Sequence, residues 1–233
     1  MDSVHGYRNS FASLKGGHPF VRLDDNEFLR SIGAAGISES DNTLHPTAAG
    51  LLMFGNEYDI VRQFPDYFLD YRAILDPNIR WSDRIHSSSG DWSGNIFDFY
   101  FRVYNKLAQS LTVPFKLSGG TRVDVTPMHE AIREALLNAL VHRDYGFSGS
   151  IIVNINSKCI DIISIGGLVP GLVEEDIMNG ISQPRNRNLA EMFHRLKYIE
   201  SYGTGIRKIL SLYSDSSVKP AITVTPNSFR ISL

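Results

Sequence analysis

Between residues 126 and 145 the chain carries two superposed patterns. Ile132, Leu136, Ala139 and Leu140 recur at helical spacing and make an apolar side fit to pack on a sheet. Thr126 suits the N-cap of such a helix and Pro127 its first position. Glu134, Asn138 and His142 recur every four residues, so they share one side of the same helix. A helix needs only the apolar side to fold, so the polar line is surplus to folding. Elsewhere, alternation predicts strands over 67–74, 150–156, 158–165, 221–225 and 228–233, the second and third joined by a tight turn at Asn156-Ser157-Lys158. Residues 115–117 and 122–125 flank Gly119-Gly120 and read as a hairpin.

Helical periodicity predicts further helices over 24–32, 95–111, 173–179, 188–198 and 205–213. Phe97, Tyr100, Phe101, Tyr104 and Leu107 form the apolar stripe of the second of these, a core role and not a platform for stacking bases. Leu189, Met192, Phe193 and Leu196 point inward from the fourth. Pro46 at a helix start introduces 47–54, apolar on nearly all sides. Residues 1–22 show no clear period and read as an irregular lead-in with room for one strand. Residues 76–91 read as a polar connection. These elements divide the chain into an N-terminal helical and strand module over 1–111 and a second domain over 112–233.

Composition narrows the classes. The 233 residues have 42% hydrophobic and 21% charged content and a net charge of −2, an ordinary globular balance. Near-neutral charge argues against a polybasic surface for nucleic acid or membrane. No apolar run reaches the roughly 18–20 residues of a membrane span, and no apolar signal core opens the chain. Cys159 is the one cysteine, which rules out an internal disulfide and a zinc ribbon; a reducing cytoplasm is the simplest setting. Neither a Gly-x-x-x-x-Gly-Lys-Ser/Thr phosphate loop nor a Gly-x-Ser-x-Gly elbow is present, so a P-loop helicase motor is excluded.

Two glycine loops lie downstream of the polar line: Ile165-Gly166-Gly167-Leu168 and Gly203-Thr204-Gly205-Ile206. Glu-x-x-x-Asn-x-x-x-His on a helix followed by these loops resembles the GHKL ATPase fold of gyrase B, Hsp90, histidine kinases and MutL. More closely, residues 133–145 (Arg-Glu-Ala-Leu-Leu-Asn-Ala-Leu-Val-His-Arg-Asp-Tyr) resemble a bacterial group of transcriptional regulators labelled "ATP-dependent DNA helicase RecG-related". The resemblance continues through Pro170-Gly171-Leu172, 181–186 and 199–206, and upstream through 44–55. It covers most of the chain from about residue 25.

That resemblance implies a two-layer α/β sandwich of α+β type, a mixed sheet covered by helices. It assigns Glu134 to the carboxylate that polarises the attacking water, and Asn138 to a Mg²⁺ ligand, its amide oxygen suiting a hard cation. It places His142 facing the nucleotide and Arg143 on ribose or phosphate. Gly166 and Gly167 become the first glycine loop, and Gly203, Thr204 and Gly205 a second whose helix start faces an anion. Bland readings stand beside these. Glu134 would pair with Arg133 or Arg143, Asn138 would cap a helix–loop contact, His142 would be a satisfied helix-end histidine, and the glycines would make ordinary turns. Lys208 reads as a solvated lysine, and Arg185 and Arg187 as phosphate or partner contacts. One departure stands out: Ser164-Ile165 precedes Gly166-Gly167, where GHKL ATPases read adenine through an aspartate. Serine is a shorter and weaker acceptor than a carboxylate.

The resemblance implies a nucleotide-sensing module of an intracellular bacterial transcriptional regulator, a Mg²⁺-dependent ATPase at most. ATP and Mg²⁺ would bind between the Glu134 helix and the glycine loops, and closure would act on a homo-oligomer or a DNA-binding neighbour. In the relatives an AlbA-type or Schlafen-like DNA-binding domain precedes this region and a winged helix often follows. DNA contact is therefore expected through those domains, and the chain reads as a piece or a shortened homologue. Two rivals remain: a decayed GHKL scaffold serving dimerisation or protein interaction, and direct DNA binding by the first 110 residues, which the charge disfavours.

Overall fold

Alternating apolar residues build one mixed sheet, and the computed structural model describes it through residues 2–76, 78–111, 117–118, 121–122, 126–199 and 203–233. In chain order the elements are α1 (Asp2–Leu14), a 3-10 turn (Pro19–Arg22), α2 (Asp25–Ser31), β1 (Ala35–Ile37), β2 (Leu44–Pro46), α3 (Ala48–Phe54) and α4 (Glu57–Gln63). Then come β3 (Leu69–Ile74), β4 (Asp83–His86), α5 (Ile96–Ser110), β5 (Leu117–Ser118), β6 (Thr121–Arg122), α6 (Pro127–His142), β7 (Ile151–Asn156) and β8 (Ile160–Ile165). The chain closes with α7 (Glu174–Met178), α8 (Arg187–Arg195), α9 (Gly205–Leu212), β9 (Ala221–Thr225) and β10 (Ser228–Ser232).

Among the described residues the main sheet has six strands in the order β4-β3-β7-β8-β10-β9. Its one parallel pairing joins β3 to β7, Leu69 opposite Ile151; the other pairs are antiparallel. Ile151, Val153, Ile155, Ile160 and Ile162 are buried on the face that α6 covers. The opposite face is mixed, with Ile152 paired to Ile163 beside buried charge. Asp70, fully buried, accepts from Arg72 Nε at 2.8 Å and Arg84 Nε at 2.9 Å, and Asp161 pairs with Arg230 at 2.8 Å. A mixed six-stranded sheet with helices packed on one face gives the two-layer α/β architecture the resemblance implies.

The sheet crosses the division expected at residue 111. β3 and β4 come from the first part, β7 to β10 from the second, and a single buried cluster runs from Tyr7 to Ile231. The lead-in is helical where an irregular segment was expected: Tyr7 and Phe11, one turn apart, are buried in α1, and the Tyr7 hydroxyl donates to the Met192 carbonyl at 2.9 Å. Residues 76–91 contain an edge strand, β4. Thr47, not Pro46, caps α3: its side chain accepts from Gly50 N at 3.0 Å, while Pro46 ends β2. The backbone of β5 and β6 pairs as expected; the rest of that hairpin, including Gly119-Gly120, lies outside the described residues.

Candidate functional site

The site begins with α6, whose start follows the expected chemistry. Thr126 is the N-cap and Pro127 the first helical residue; His129 Nδ1 accepts the Thr126 amide at 3.1 Å. The helix is more enclosed than a surface amphipathic one: α5, α8 and α9 as well as β8 pack against it. Ile132, Leu136 and Leu140 are fully buried and Ala139 nearly so. Glu134 is therefore also buried, at 6% exposure, with Arg133 Nη2 at 3.7 Å from its carboxylate. Burying a carboxylate is costly unless charge or hydrogen bonds compensate it, so its retention beside an open cavity marks a functional candidate.

Glu134, Asn138 and His142 all line that cavity, which encloses about 100 Å³. Opposite them stand the end of β8, the chain from 166 to 184, and the start of α9. The first glycine loop meets the far end of α6. The Asp144 amide donates to the Ile165 carbonyl at 2.9 Å, and Gly166, at φ +99°, leaves space for Asp144 Cβ that a side chain would occupy. The second loop meets the near end. A β-carbon on Gly205 would lie 3.1 Å from both Glu134 Oε2 and Asn138 Nδ2. Gly203, at φ +88°, packs so closely on Gly180 that a β-carbon would fall 2.0 Å from the Gly180 carbonyl oxygen. Glycine is required there by both conformation and space.

The cavity is largely apolar, with Leu168, Ile181, Ile206 and Phe229 among its walls. Among the described residues that line it, Glu134 is the one acid and none is Lys or Arg. Two nearby cations are already engaged. Arg185 donates to the His142 carbonyl at 3.2 Å, to Asp144 Oδ2 at 3.2 Å and to the Gly167 carbonyl at 3.0 Å, clamping the first glycine loop to the end of α6. Lys208 sits 3.1 Å from Glu130, so it is ion-paired where a solvated lysine was expected. Burial, and secondarily the Arg185 charge, lower the His142 pKa from 6.5 to about 4. Its ring is therefore neutral at neutral pH, able to donate from one nitrogen and accept at the other.

The structure thus brings together Glu134, Asn138, His142, Gly166, Gly167, Gly203 and Gly205 around one cavity. It does not bring Arg143 there. Consecutive helical residues differ by about 100°, and Arg143 points the other way, fully buried, over the Tyr145 ring at 4.7 Å with Nη2 donating to the Asp66 carbonyl at 2.9 Å. It is a core brace between α6 and the start of β3, which corrects its expected place on ribose or phosphate. Thr204 is the N-cap residue of α9 and is not among the cavity-lining residues, in contrast to Gly203 and Gly205. Sequence reasoning missed Phe229 and Gly180. Phe229 faces the cavity through its pairing with Ser164, a register no local pattern announces. Gly180, following α7 at φ +88°, gave a signal in principle as a helix-ending glycine.

Cofactor chemistry can be tested on the donor set. Glu134 and Asn138 supply hard oxygens, and the described residues hold no cluster of three His, Cys, Asp or Glu. That set fits Mg²⁺, which uses one or two protein oxygens beside waters and phosphates, and does not fit a metal needing an all-protein cage. No described helix is long and apolar enough to cross a membrane.

Residues 149–233 match a family described as "Putative ATP-dependent DNA helicase recG C-terminal", and residues 1–70 match a "Domain of unknown function (DUF8451)". Residues 149–233 are thus similar to a RecG-related family; the match includes both glycine loops and starts after α6. No curated protein matches the chain. Its fold is similar to the crystal structure of the DIP2311 protein from Corynebacterium diphtheriae, with a TM-score of 0.71 at 20% identity. That similarity covers 98% of this chain and 44% of the other, so the chain spans less than half the length of that protein.

Proposed function

We propose that the cavity between α6 and α9 is a nucleotide site, taking ATP or a close relative with Mg²⁺, and that its occupancy acts as a switch in a DNA-linked regulator. One observation carries this reading: Gly205, at the start of α9, stands directly against Glu134 and Asn138. That juxtaposition puts bare backbone, a helix N-terminus and two hard oxygens at one end of an apolar cavity. It is the combination that phosphates and a hydrated divalent cation require. Bound Mg²⁺ would supply the positive charge that the lining lacks. Asn138 would hold it, and Glu134 would orient or deprotonate a water. The cavity's 100 Å³ is below the roughly 300–1,000 Å³ of sites for drug-sized ligands. In this reading the 166–184 wall moves to admit a nucleotide, and that motion is what a homo-oligomer partner or a DNA-binding neighbour would sense.

The absence of Lys and Arg from the described lining favours one alternative, a scaffold whose site has decayed and which serves protein interaction. Melting curves separate the two. At a concentration 100 times its Kd, a non-hydrolysable ATP analogue with Mg²⁺ adds about 2.7 kcal/mol, which raises Tm by about 5–10 °C for a chain of this size. Asn138→Ala and removal of Mg²⁺ should each abolish most of the rise. No shift in the parent protein at millimolar analogue would favour the scaffold.

A further inference from the structure

The two edges of the main sheet differ in chemistry. Among the described residues β4 ends the sheet on one side and β9 on the other. β4 (Asp-Arg-Ile-His) is charged, and its Asp83 pairs with Lys106 of α5 at 2.8 Å. Charge on an edge is one way natural sheets keep a further strand from adding. β9 (Ala-Ile-Thr-Val-Thr) is uncharged and almost wholly β-branched, a composition that favours strand pairing. Lys219, two residues before it, is held at the end of α9, where its Nζ donates to the Tyr213 and Ser214 carbonyls at 2.7 and 2.6 Å. We propose that β9 is a self-association edge, which pairs antiparallel with β9 of a second copy of this chain about a two-fold axis at Thr223.

The backbone phase of β9 suits that pairing. Leu233 exchanges both hydrogen bonds with Ile160, at 2.9 Å each. Bonded positions alternate along an antiparallel strand, so Ser228, Arg230 and Ser232 of β10 bond toward β9, opposite Thr225, Thr223 and Ala221. The N–H and C=O groups of Ile222 and Val224 therefore point outward. A two-fold axis at Thr223 sets Ile222 of one copy opposite Val224 of the other, so these outward groups satisfy each other. The side chains match as well. Ile222 and Val224 lie on the face of Ile231 and Phe229, where Ile–Val pairs extend the apolar side of the sheet. Thr223 is exposed on the other face and meets Thr223 of the second copy there. The strand is thus complementary to itself, as an isologous interface requires. The edge also adjoins the candidate site: a β-carbon on Gly167, in the first glycine loop, would fall 2.5 Å from the Pro226 carbonyl oxygen in the β9–β10 turn. This pairing does not depend on what the cavity binds.

The test is sedimentation of the full chain over a range of concentrations, repeated on variants of Thr223. A short edge falls among the small interfaces, which bury under about 1,200 Å² and are weak, so a monomer–dimer equilibrium in the micromolar range is expected. Thr223→Lys sets two ammonium groups opposite each other, each beside Arg230 on β10, and should raise the dissociation constant tenfold or more. Mixing Thr223→Lys with Thr223→Glu should restore association, which a mere loss of folding would not allow. If Thr223→Lys fails to fold, Thr223→Cys in a Cys159→Ser background serves instead. Opposed residues at a non-hydrogen-bonded pair have Cα atoms about 4.5 Å apart, within disulfide reach, so mild oxidation should link two copies. A chain that stays monomeric up to millimolar concentration would overturn the proposal. So would a dimer that Thr223→Lys leaves intact, since its contact lies elsewhere, and so would a Lys and Glu mixture that does not associate or a Thr223→Cys chain that does not cross-link.

Discussion

His142 sits half-buried at the cavity wall, neutral to about pH 4, whereas an unfolded histidine takes up its proton near 6.5. A histidine whose folded pKa is lowered costs stability on acidification: the unfolded chain binds the proton first, so stability declines as pH falls from 6.5 to 4. The decline attributable to this group is on the order of 3 kcal/mol at most. Denaturant titrations at pH 7 and pH 4.5 should show His142→Gln losing less stability across that interval than the parent. An equal loss would place the acid sensitivity elsewhere. The four-residue spacing made Glu134, Asn138 and His142 legible in the sequence, and all three reach one cavity. Arg143 misled because the sequence motif runs through it without regard to the helical angle that turns it into the core.

Among the elements, the α7–α9 contact depends on two glycines. Gly203 and Gly180 touch through backbone atoms, and Gly203 adopts a positive φ that a side chain disfavours. Gly203→Ala should cost about 2–4 kcal/mol from strain and displacement together, lowering Tm by about 5–15 °C; an unchanged Tm would show that α7 separates freely from α9. The long elements were readable because their apolar periodicity is strong: α5, α6, α8 and the β7–β8 pair lie within a residue or two of the expected ranges, apart from the last residues of α8. Those that were not readable draw their stability from distant partners. α1 offers two large buried rings, Tyr7 and Phe11, among Gly, Ser, Asn and His, so its helix is fixed by packing and not by propensity. β4 is polar because it lies at the sheet edge, where Arg84 reaches Asp70 on β3.

At the scale of the whole molecule, the first 111 residues supply two strands of the sheet that carries the site. Without β3, strand β7 would become an open sheet edge, and without α5 one side of α6 would lose its cover. An isolated 112–233 fragment is therefore expected to show no cooperative thermal transition, and a sharp transition near that of the full chain would establish an independent second domain. This coupling was invisible in sequence because a parallel β3–β7 pairing links residues about 80 apart, across the segment where composition suggested a boundary. It would also give the proposed switch a route, since any movement of the 166–184 wall against α6 would bear on the same core that holds the N-terminal helices.

The most direct test of the nucleotide site is calorimetric titration of a Mg²⁺–ATP analogue into the full chain and into Gly205→Ala. Gly205 begins α9 with no positive φ, and the three atoms nearest its β-carbon would be the ends of the Glu134 and Asn138 side chains, so the variant should fold within about 1 kcal/mol of the parent. Displacing those two side chains should weaken binding by tenfold or more. Parent binding that Gly205→Ala leaves unchanged would place the nucleotide elsewhere on the molecule, and no heat in either titration would contradict a working site altogether.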